Sequence, residues 1–319
     1  MNKIILLLLT LLMINGAVGC SHEQDHDIYI IYTNDIHANA RGENIGLAGV
    51  KAFKDSYVNS HTYVSMVDCG DFSEGTEYGS VRCGHYMVML MNDCGYDVVA
   101  LGNQDFDYGI SELQQMIDQA NFDIVDCNIK YTGSGTALTG YSPYVIKSYG
   151  YTKVAFIGVM TPDILTTGKP AYHAICENDE IVYDFYQGTD GQDLWDQVQK
   201  TVDQVRKKVD YVIVLSHLGI ETKSEPYTSF EMIANTTGID AVIDGHSHTV
   251  NSGEAVLNKN GEEVCFTSTG KNIENIGVMI LKKDHTFQTV LYPYVDERDP
   301  FILAELDDID AEIKERGGN

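Results

Sequence analysis

Five polar clusters each follow directly on an apolar, β-rich run, and between them they hold residues suited to binding divalent cations. They are Asn34-Asp35-Ile36-His37, Asp68-Cys69-Gly70-Asp71, Gly102-Asn103-Gln104-Asp105-Phe106-Asp107, Ser216-His217-Leu218-Gly219 and Asp244-Gly245-His246-Ser247-His248. In extended chain, residues two apart point to one side. Asp35 with His37, and His246 with His248, are therefore expected to face a cation as pairs. Gly70 permits a tight turn that leaves both carboxylate oxygens of Asp71 free to bridge two cations, and Asn103 adds a neutral carbonyl oxygen. The set Asp35, His37, Asp71, Asn103, His217, His246 and His248 supplies nitrogen and oxygen donors without a thiolate. That suits a pair of Zn, Mn or Fe ions and disfavours an all-oxygen Ca site.

Taken singly, each cluster has an ordinary explanation. An Asp-x-His at a strand end is commonly a turn with a capping Asp. Their shared setting points to chemistry instead: all five follow predicted strands, and together they hold four of the chain's ten histidines. Elsewhere the ordinary reading prevails. His85, in a helical stretch, and His173, in a polar loop, read as surface or partly buried histidines. Trp195, Tyr183 and Tyr186 read as core or groove rim. Arg82 could reach a phosphate or close a salt bridge on an acidic surface.

The elements that must position these clusters are legible as period. Strands are predicted at Ile28 to Thr33, Tyr63 to Val67, Val98 to Leu101, Val154 to Val159, Tyr211 to Leu215 and Ala241 to Ile243. Helices are predicted at Leu47 to Val58, Val81 to Cys94, Ile110 to Ala120, Gln192 to Val209 and Phe230 to Asn235. The alternation argues an α/β fold with its site at the carboxyl ends of strands. From Gly253 onward hairpin-like runs, with a turn at Asn258 to Gly261, are expected to complete a second sheet. A charged amphipathic helix is expected over Phe301 to Arg316.

Acidic residues outnumber basic ones, 47 to 21, for a formal charge of -26 over 319 residues. No Lys/Arg cluster could neutralise a run of phosphates, so nucleic acid is not an expected partner. A phosphorylated substrate would need local positive charge, which bound cations supply. Residues 1 to 19 read as a signal peptide, with Lys3 before the apolar run Ile4 to Ile14. Ala17-Val18-Gly19-Cys20 resembles the lipobox of bacterial lipoproteins, so an exported chain is expected, membrane-anchored through lipid on Cys20, with residues 20 to 27 as tether. The remaining cysteines match no small disulfide scaffold and are expected mostly as free thiols.

The order of the clusters closely resembles the calcineurin-like metallophosphoesterase superfamily. Tyr32-Thr33-Asn34-Asp35-Ile36-His37, Gly102 to Gly109 and Asp244 to His248 look like its bacterial 5′-nucleotidase branch. The resemblance implies a four-layer α/β/β/α sandwich over residues 28 to 298, with 299 to 319 as a helix or bridge. It implies one metal on Asp35, His37 and His248, another on Asn103, His217 and His246, and Asp71 between them. A metal-bound hydroxide would then hydrolyse a phosphate ester, a nucleotide being the expected substrate. Position 104 normally holds a His oriented by an Asp three residues on; here Gln104 replaces it and Asp107 is retained. A Gln amide can donate a hydrogen bond but cannot transfer a proton, a function worth roughly 10² to 10⁴ in rate. The site is therefore expected to be attenuated, shifted in substrate, or a weakly catalytic surface binding subunit. Family nucleotidases also carry a C-terminal base-binding domain, so a separate nucleotide-binding polypeptide is an expected partner.

Overall fold

Ile28, Ile30 and Tyr32 point to one side of the strand Ile28–Thr33 and Ile31 to the other, and all four are fully buried. A strand covered on both faces must read this way, as a continuous apolar run. Val64–Asp68 and Val98–Ala100 continue the pattern beside it in parallel register, with Tyr32 opposite Val67 and Val67 opposite Val98. The computed structural model describes residues 10–12, 26–42, 44–166, 169–177 and 180–317. The expected leader and Cys20 lie outside these residues, apart from Thr10–Leu12.

One sheet runs Thr10–Leu12, Phe287–Tyr292, Ile276–Leu281, Ile28–Thr33, Val64–Asp68, Val98–Ala100, Asp123–Val125 and Tyr141–Ser142. The second runs Val250–Leu257, Glu263–Thr269, Ala241–Asp244, Tyr211–His217, Thr152–Met160 and Tyr144–Tyr149. Their inner faces meet in one apolar layer that includes Ile30, Tyr32, Val67, Val98, Phe156, Ile213, Leu215 and Ile243. Helices cover the outer faces. Gly46–Ser60, His85–Cys94 and Ile110–Gln119 pack on the first sheet, Pro300–Gly317 lies against Gly46–Ser60 and His85–Cys94, and Gln192–Val205 and Ser229–Asn235 pack on the second sheet. The arrangement is the expected α/β/β/α sandwich.

Gln192–Val205 shows why the outer layers hold. Leu194, Val198, Val202 and Val205 recur at helical spacing, and all are buried together with Trp195. Each such side chain contributes about 1.5–3 kcal/mol on burial. Pro300–Gly317 docks in the same way, through Ile302, Leu306, Ile309 and Ile313.

Two expectations are corrected. The helix predicted from Val81 starts at His85, because Cys83 (φ 48°) and Gly84 (φ 85°) turn through the left-handed region first. The strands after Gly253 do not all join one sheet. Glu263–Thr269 enters the second sheet, whereas Ile276–Leu281 pairs antiparallel with Ile28–Thr33 in the first. Cys69, Cys83, Cys94, Cys127 and Cys265 are free thiols, as expected. No helix among the described residues is long and apolar enough to cross a membrane.

Candidate metal centre

Strands Ile28–Thr33, Val64–Asp68 and Val98–Ala100 are parallel in one sheet, and Thr152–Met160, Tyr211–His217 and Ala241–Asp244 in the other. Their carboxyl ends meet at one edge of the sandwich, and polar contacts tie them across it. The backbone N–H of His246 donates to both oxygens of Asp35, at 3.1 and 3.0 Å. His217 Nδ1 donates to the Cys69 carbonyl at 2.6 Å, and the Cys69 thiol donates to the Ile243 carbonyl at 3.2 Å. Asn34 donates to Asp35 Oδ2 and to the Gly270 carbonyl, each at 2.7 Å.

Asp35 and His37 converge in one donor group as expected, whereas His246 and His248 divide between two, and none of the four is in extended backbone. Asp35 (φ 50°), His37 (φ 49°), Asp71 (φ 56°), His246 (φ 71°) and His248 (φ 55°) all sit in the left-handed region that side chains with a Cβ avoid. Such residues cost of order 1–3 kcal/mol each and persist where surrounding contacts enforce them, characteristically at functional sites. Gly70 and Gly102 make the close approach possible. A Cβ on Gly70 would lie 2.4 Å from the Gly102 nitrogen, and one on Gly102 would lie 2.2 Å from Asp71 Oδ1.

Two donor groups result. Asp35 Oδ1 lies 3.7 Å from His37 Nε2 and 3.5 Å from His248 Nε2, and those ring nitrogens are 2.9 Å apart. Donor atoms of Asp71, His217 and His246 form the second group, all within 4.8 Å of one another. Asn103 is buried beside them on the turn that carries Gln104, whose backbone N–H donates to Asp71 Oδ1 at 2.8 Å. His217 Nε2 lies 3.2 Å from Asp71 Oδ2 and 4.0 Å from Asp35 Oδ1, so the two groups adjoin.

Protonation follows from burial and charge. Burial lowers His37, and it lowers His248 to about 4 with help from the His37 charge, so both rings are neutral near pH 7 with lone pairs to offer. Burial pushes Asp35 up to about 7, with Asp71 adding to the effect. Burial alone would raise Asp71 and lower His217. Their mutual attraction wins, holding Asp71 below the usual carboxylate range and raising His217 to about 10.

Four positioning residues were not singled out by the sequence, although Asn34 and Asp105 lie within its clusters. Asp105 accepts the backbone N–H groups of Gly102, Asp71, Phe72 and Ser73, and the Ser73 hydroxyl, welding the second cluster to the third. Asp163 Oδ2 accepts His246 Nε2 at 2.9 Å and the Ser224 hydroxyl at 3.2 Å. That commits Nε2 of His246 to Asp163, while His217, with Nδ1 committed, has Nε2 toward Asp71. Asn34 is the third. The fourth is Glu74, whose Oε2 accepts Gln104 Nε2 at 3.1 Å. The side chain of Gln104 thus reaches Glu74, while Asp107 meets Gln104 through the backbone, its N–H on the Gln104 carbonyl at 3.0 Å. Burial, with the Glu74 and Asp71 charges, pushes Asp107 up to about 6.

The remaining candidates sit elsewhere. Arg82 binds Glu312 of the C-terminal helix at 2.6 Å. His85 bridges Gln119 and Glu112. His173 is exposed, on the short helix Pro170–Ala174 rather than a loop. Trp195 and Tyr183 are core, and Tyr186 is half-buried.

The donor set fits divalent cations. Among the described residues Asn103 Oδ1 is buried with no hydrogen-bond partner, and the carboxylates of Asp71 and Asp35 neighbour buried His217 Nε2; a cation would satisfy the first and join the second. Among solved structures, the chain superposes on the 5′-nucleotidase precursor of Thermus thermophilus with a TM-score of 0.74 at 21% identity, over 91% of this chain and 59% of that one. It superposes on the calcineurin-like phosphoesterase YfkN of Bacillus subtilis with a TM-score of 0.73 at 23% identity, over 92% and 99%. Sheets, flanking helices and strand-end donors together define the metallophosphoesterase class of sandwich. Residues 56–274 match the family model described as bacterial capsule synthesis protein PGA_cap. The chain belongs to the calcineurin-like metallophosphoesterases of the 5′-nucleotidase N-terminal domain type. It is 29% identical over 252 residues to the 5′-nucleotidase of Bos taurus, covering 73% of this chain and 40% of that protein. It is 27% identical over 254 residues to the trifunctional nucleotide phosphoesterase YfkN of Bacillus subtilis, covering 69% and 16%. The chain thus spans less than half the length of these curated relatives.

Proposed function

We propose that this chain is a metal-dependent phosphoester hydrolase acting on nucleotides or related small phosphate esters. In this reading Asp35, His37 and His248 hold one cation, Asn103, His217 and His246 hold a second, and Asp71 is shared. The observation that carries it is the convergence of Asp35, His37, Asp71, His217, His246 and His248 from four strand ends, with Asn103 Oδ1 buried on the fifth and without a hydrogen-bond partner among the described residues. When bound, two divalent cations supply Lewis acidity and bring the pKa of a coordinated water near neutrality.

The chain's own residues set the geometry around that chemistry. Asp105 and the Gln104 backbone fix Asp71, the Cys69 carbonyl fixes the His217 ring, and Asp163 fixes the His246 ring. Such outer partners hold ligand rings in one orientation and tautomer. Neutral His37, half-buried, and neutral His248, at the exposed edge of the site, keep their lone pairs available. A nucleotide substrate is supported by the names of relatives at 27% and 29% identity. The reading extends to an exported lipoprotein anchored through Cys20; incorporation of labelled fatty acid that is lost in Cys20→Ser tests that part.

The test is turnover of p-nitrophenyl phosphate, bis-p-nitrophenyl phosphate, AMP and ADP by chain loaded with Mn or Zn, with Asp71→Asn as control. Metal-dependent hydrolysis that disappears in Asp71→Asn supports the proposal. Fully loaded protein that turns over none of the four rules it out. Gln104 favours a second reading, a surface subunit that captures its ligand with little turnover, and tight AMP binding without hydrolysis would identify it.

A further inference from the structure

Glu74 lies three residues beyond Asp71, on a turn pinned at both sides. Before it, Ser73 donates its backbone N–H at 3.1 Å and its hydroxyl at 2.8 Å to Asp105 Oδ1. After it, Thr76 donates its hydroxyl to the Ala38 carbonyl at 2.5 Å. Between these anchors Gly75, at φ 137°, leaves no space for a side chain: a Cβ there would lie 2.2 Å from the His37 carbonyl oxygen. The turn is pressed against the backbone of one candidate ligand while following directly on another. Glu74 is thereby held half-buried at the rim of the centre.

Gln104 reaches it from the opposite side. The Gln104 backbone N–H is fixed on Asp71 Oδ1 at 2.8 Å, and its side-chain Nε2 donates to Glu74 Oε2 at 3.1 Å. The position next to Asn103 therefore carries an amide that cannot transfer a proton but grips a carboxyl that can. Burial and the Asp71 charge raise the Glu74 pKa, and the Glu74 charge in turn raises that of Asp107. Carboxyls crowded in this way favour keeping a proton on one of them. The backbone N–H of Ala171 favours the ionised form of Asp107. Among the described residues the Glu74 side chain accepts only the Gln104 amide.

We propose that Glu74 is the general acid of this site and that Gln104 is the residue that positions it. The Glu74 carboxyl gives its proton to the ester oxygen as the bond from that oxygen to phosphorus breaks and a hydroxide oxygen forms the new bond to phosphorus. An alcohol and phosphate leave. Glu74, now a carboxylate, recovers through solvent the proton lost when the hydroxide formed. This inference rests on the hydrolase reading.

Metal-loaded full chain and Glu74→Gln are compared on AMP, whose ribose alkoxide needs a proton to depart, and on p-nitrophenyl phosphate, whose phenolate does not. Turnover of AMP falls about 10²- to 10³-fold, and the fall on p-nitrophenyl phosphate is at least about tenfold smaller. Metal content and affinity for inorganic phosphate stay at wild-type values. Gln104→His in the Glu74→Gln background restores AMP turnover by supplying a new donor. Equal losses on both esters, no loss on AMP, or loss of metal in Glu74→Gln overturns the assignment. A wild-type chain inactive on both esters removes the hydrolase reading and this inference with it, an outcome distinct from an active wild type with an unselective variant.

Discussion

Asp105 accepts the backbone N–H of Asp71 at 3.0 Å, although the two belong to different strand ends. The same carboxylate holds three further backbone N–H groups and a hydroxyl, so one side chain sets the spacing between the second and third clusters. It is buried, and burial with the Asp71 charge pushes it up to about 6.

Asp105→Ala leaves those donors buried without an acceptor. At about 1–3 kcal/mol for each unsatisfied group, partly relieved by relaxation, a loss of about 3–5 kcal/mol is expected. Chemical denaturation measures it. A loss under about 1 kcal/mol would mean that water replaces the carboxylate and the clamp is not structural.

Asp163→Ala frees the His246 ring while leaving every proposed ligand in place. Removing such an outer partner typically costs 10- to 100-fold in metal affinity, and about that loss is expected at one of two sites. Titration with Mn or Zn followed by calorimetry reads it. Unchanged affinity at both sites would show that His246 is oriented by the turn alone.

Much of this arrangement is written in local pattern. Ile28–Thr33, Tyr211–His217 and Ala241–Asp244 are apolar runs that stop at charged or imidazole residues, and a buried strand has to end where polar groups can be satisfied. The seven donor residues were legible because their types and order are unusual together. The backbone that brings them together was not. Asp35 and His246 adopt left-handed conformations that no propensity favours, enforced by contacts between segments 211 residues apart. Asp105, Asp163 and Glu74 were hidden for a related reason. An Asp or Glu in a loop is common in so acidic a chain, and only tertiary structure shows which one meets His246 or Gln104. Ile276–Leu281 escaped because it follows a hairpin of the second sheet yet pairs with Ile28–Thr33 in the first.

Gln104→His tests whether the site lacks a proton donor. If Glu74 already serves, the gain in AMP turnover is below about threefold, far short of the 10² to 10⁴ that a missing general acid would restore. Steady-state kinetics on AMP decides it, and a gain above about 10² would show that wild type is impaired.

Asp126 gives a pH signature away from the centre. It is buried; Oδ1 accepts the N–H of Asn128 at 2.9 Å and of Ile129 at 3.0 Å, while Oδ2 has no hydrogen-bond partner among the described residues. Burial pushes the carboxyl up to about 7 from an ordinary 3.8. The fold therefore binds this proton more tightly than the unfolded chain does, so the stability it contributes is fully present below about pH 4 and is lost as pH rises through 7. Asp126→Asn keeps the Oδ1 acceptor and never ionises. Its melting temperature relative to wild type is expected to rise between pH 5 and pH 8, measured by thermal melts at both. A difference that does not change with pH would place the ionised form at no disadvantage.

The proposed centre requires Asp35, His37 and His248 to hold one cation and Asn103, His217 and His246 another, with Asp71 shared. Elemental analysis of reconstituted, buffer-exchanged protein measures this directly, with wild type beside His248→Ala and Asp71→Ala. The prediction is two ions per chain in wild type, one in His248→Ala and fewer than one in Asp71→Ala. Wild-type protein that is folded yet retains no ion, or variants that bind as many ions as wild type, would contradict it.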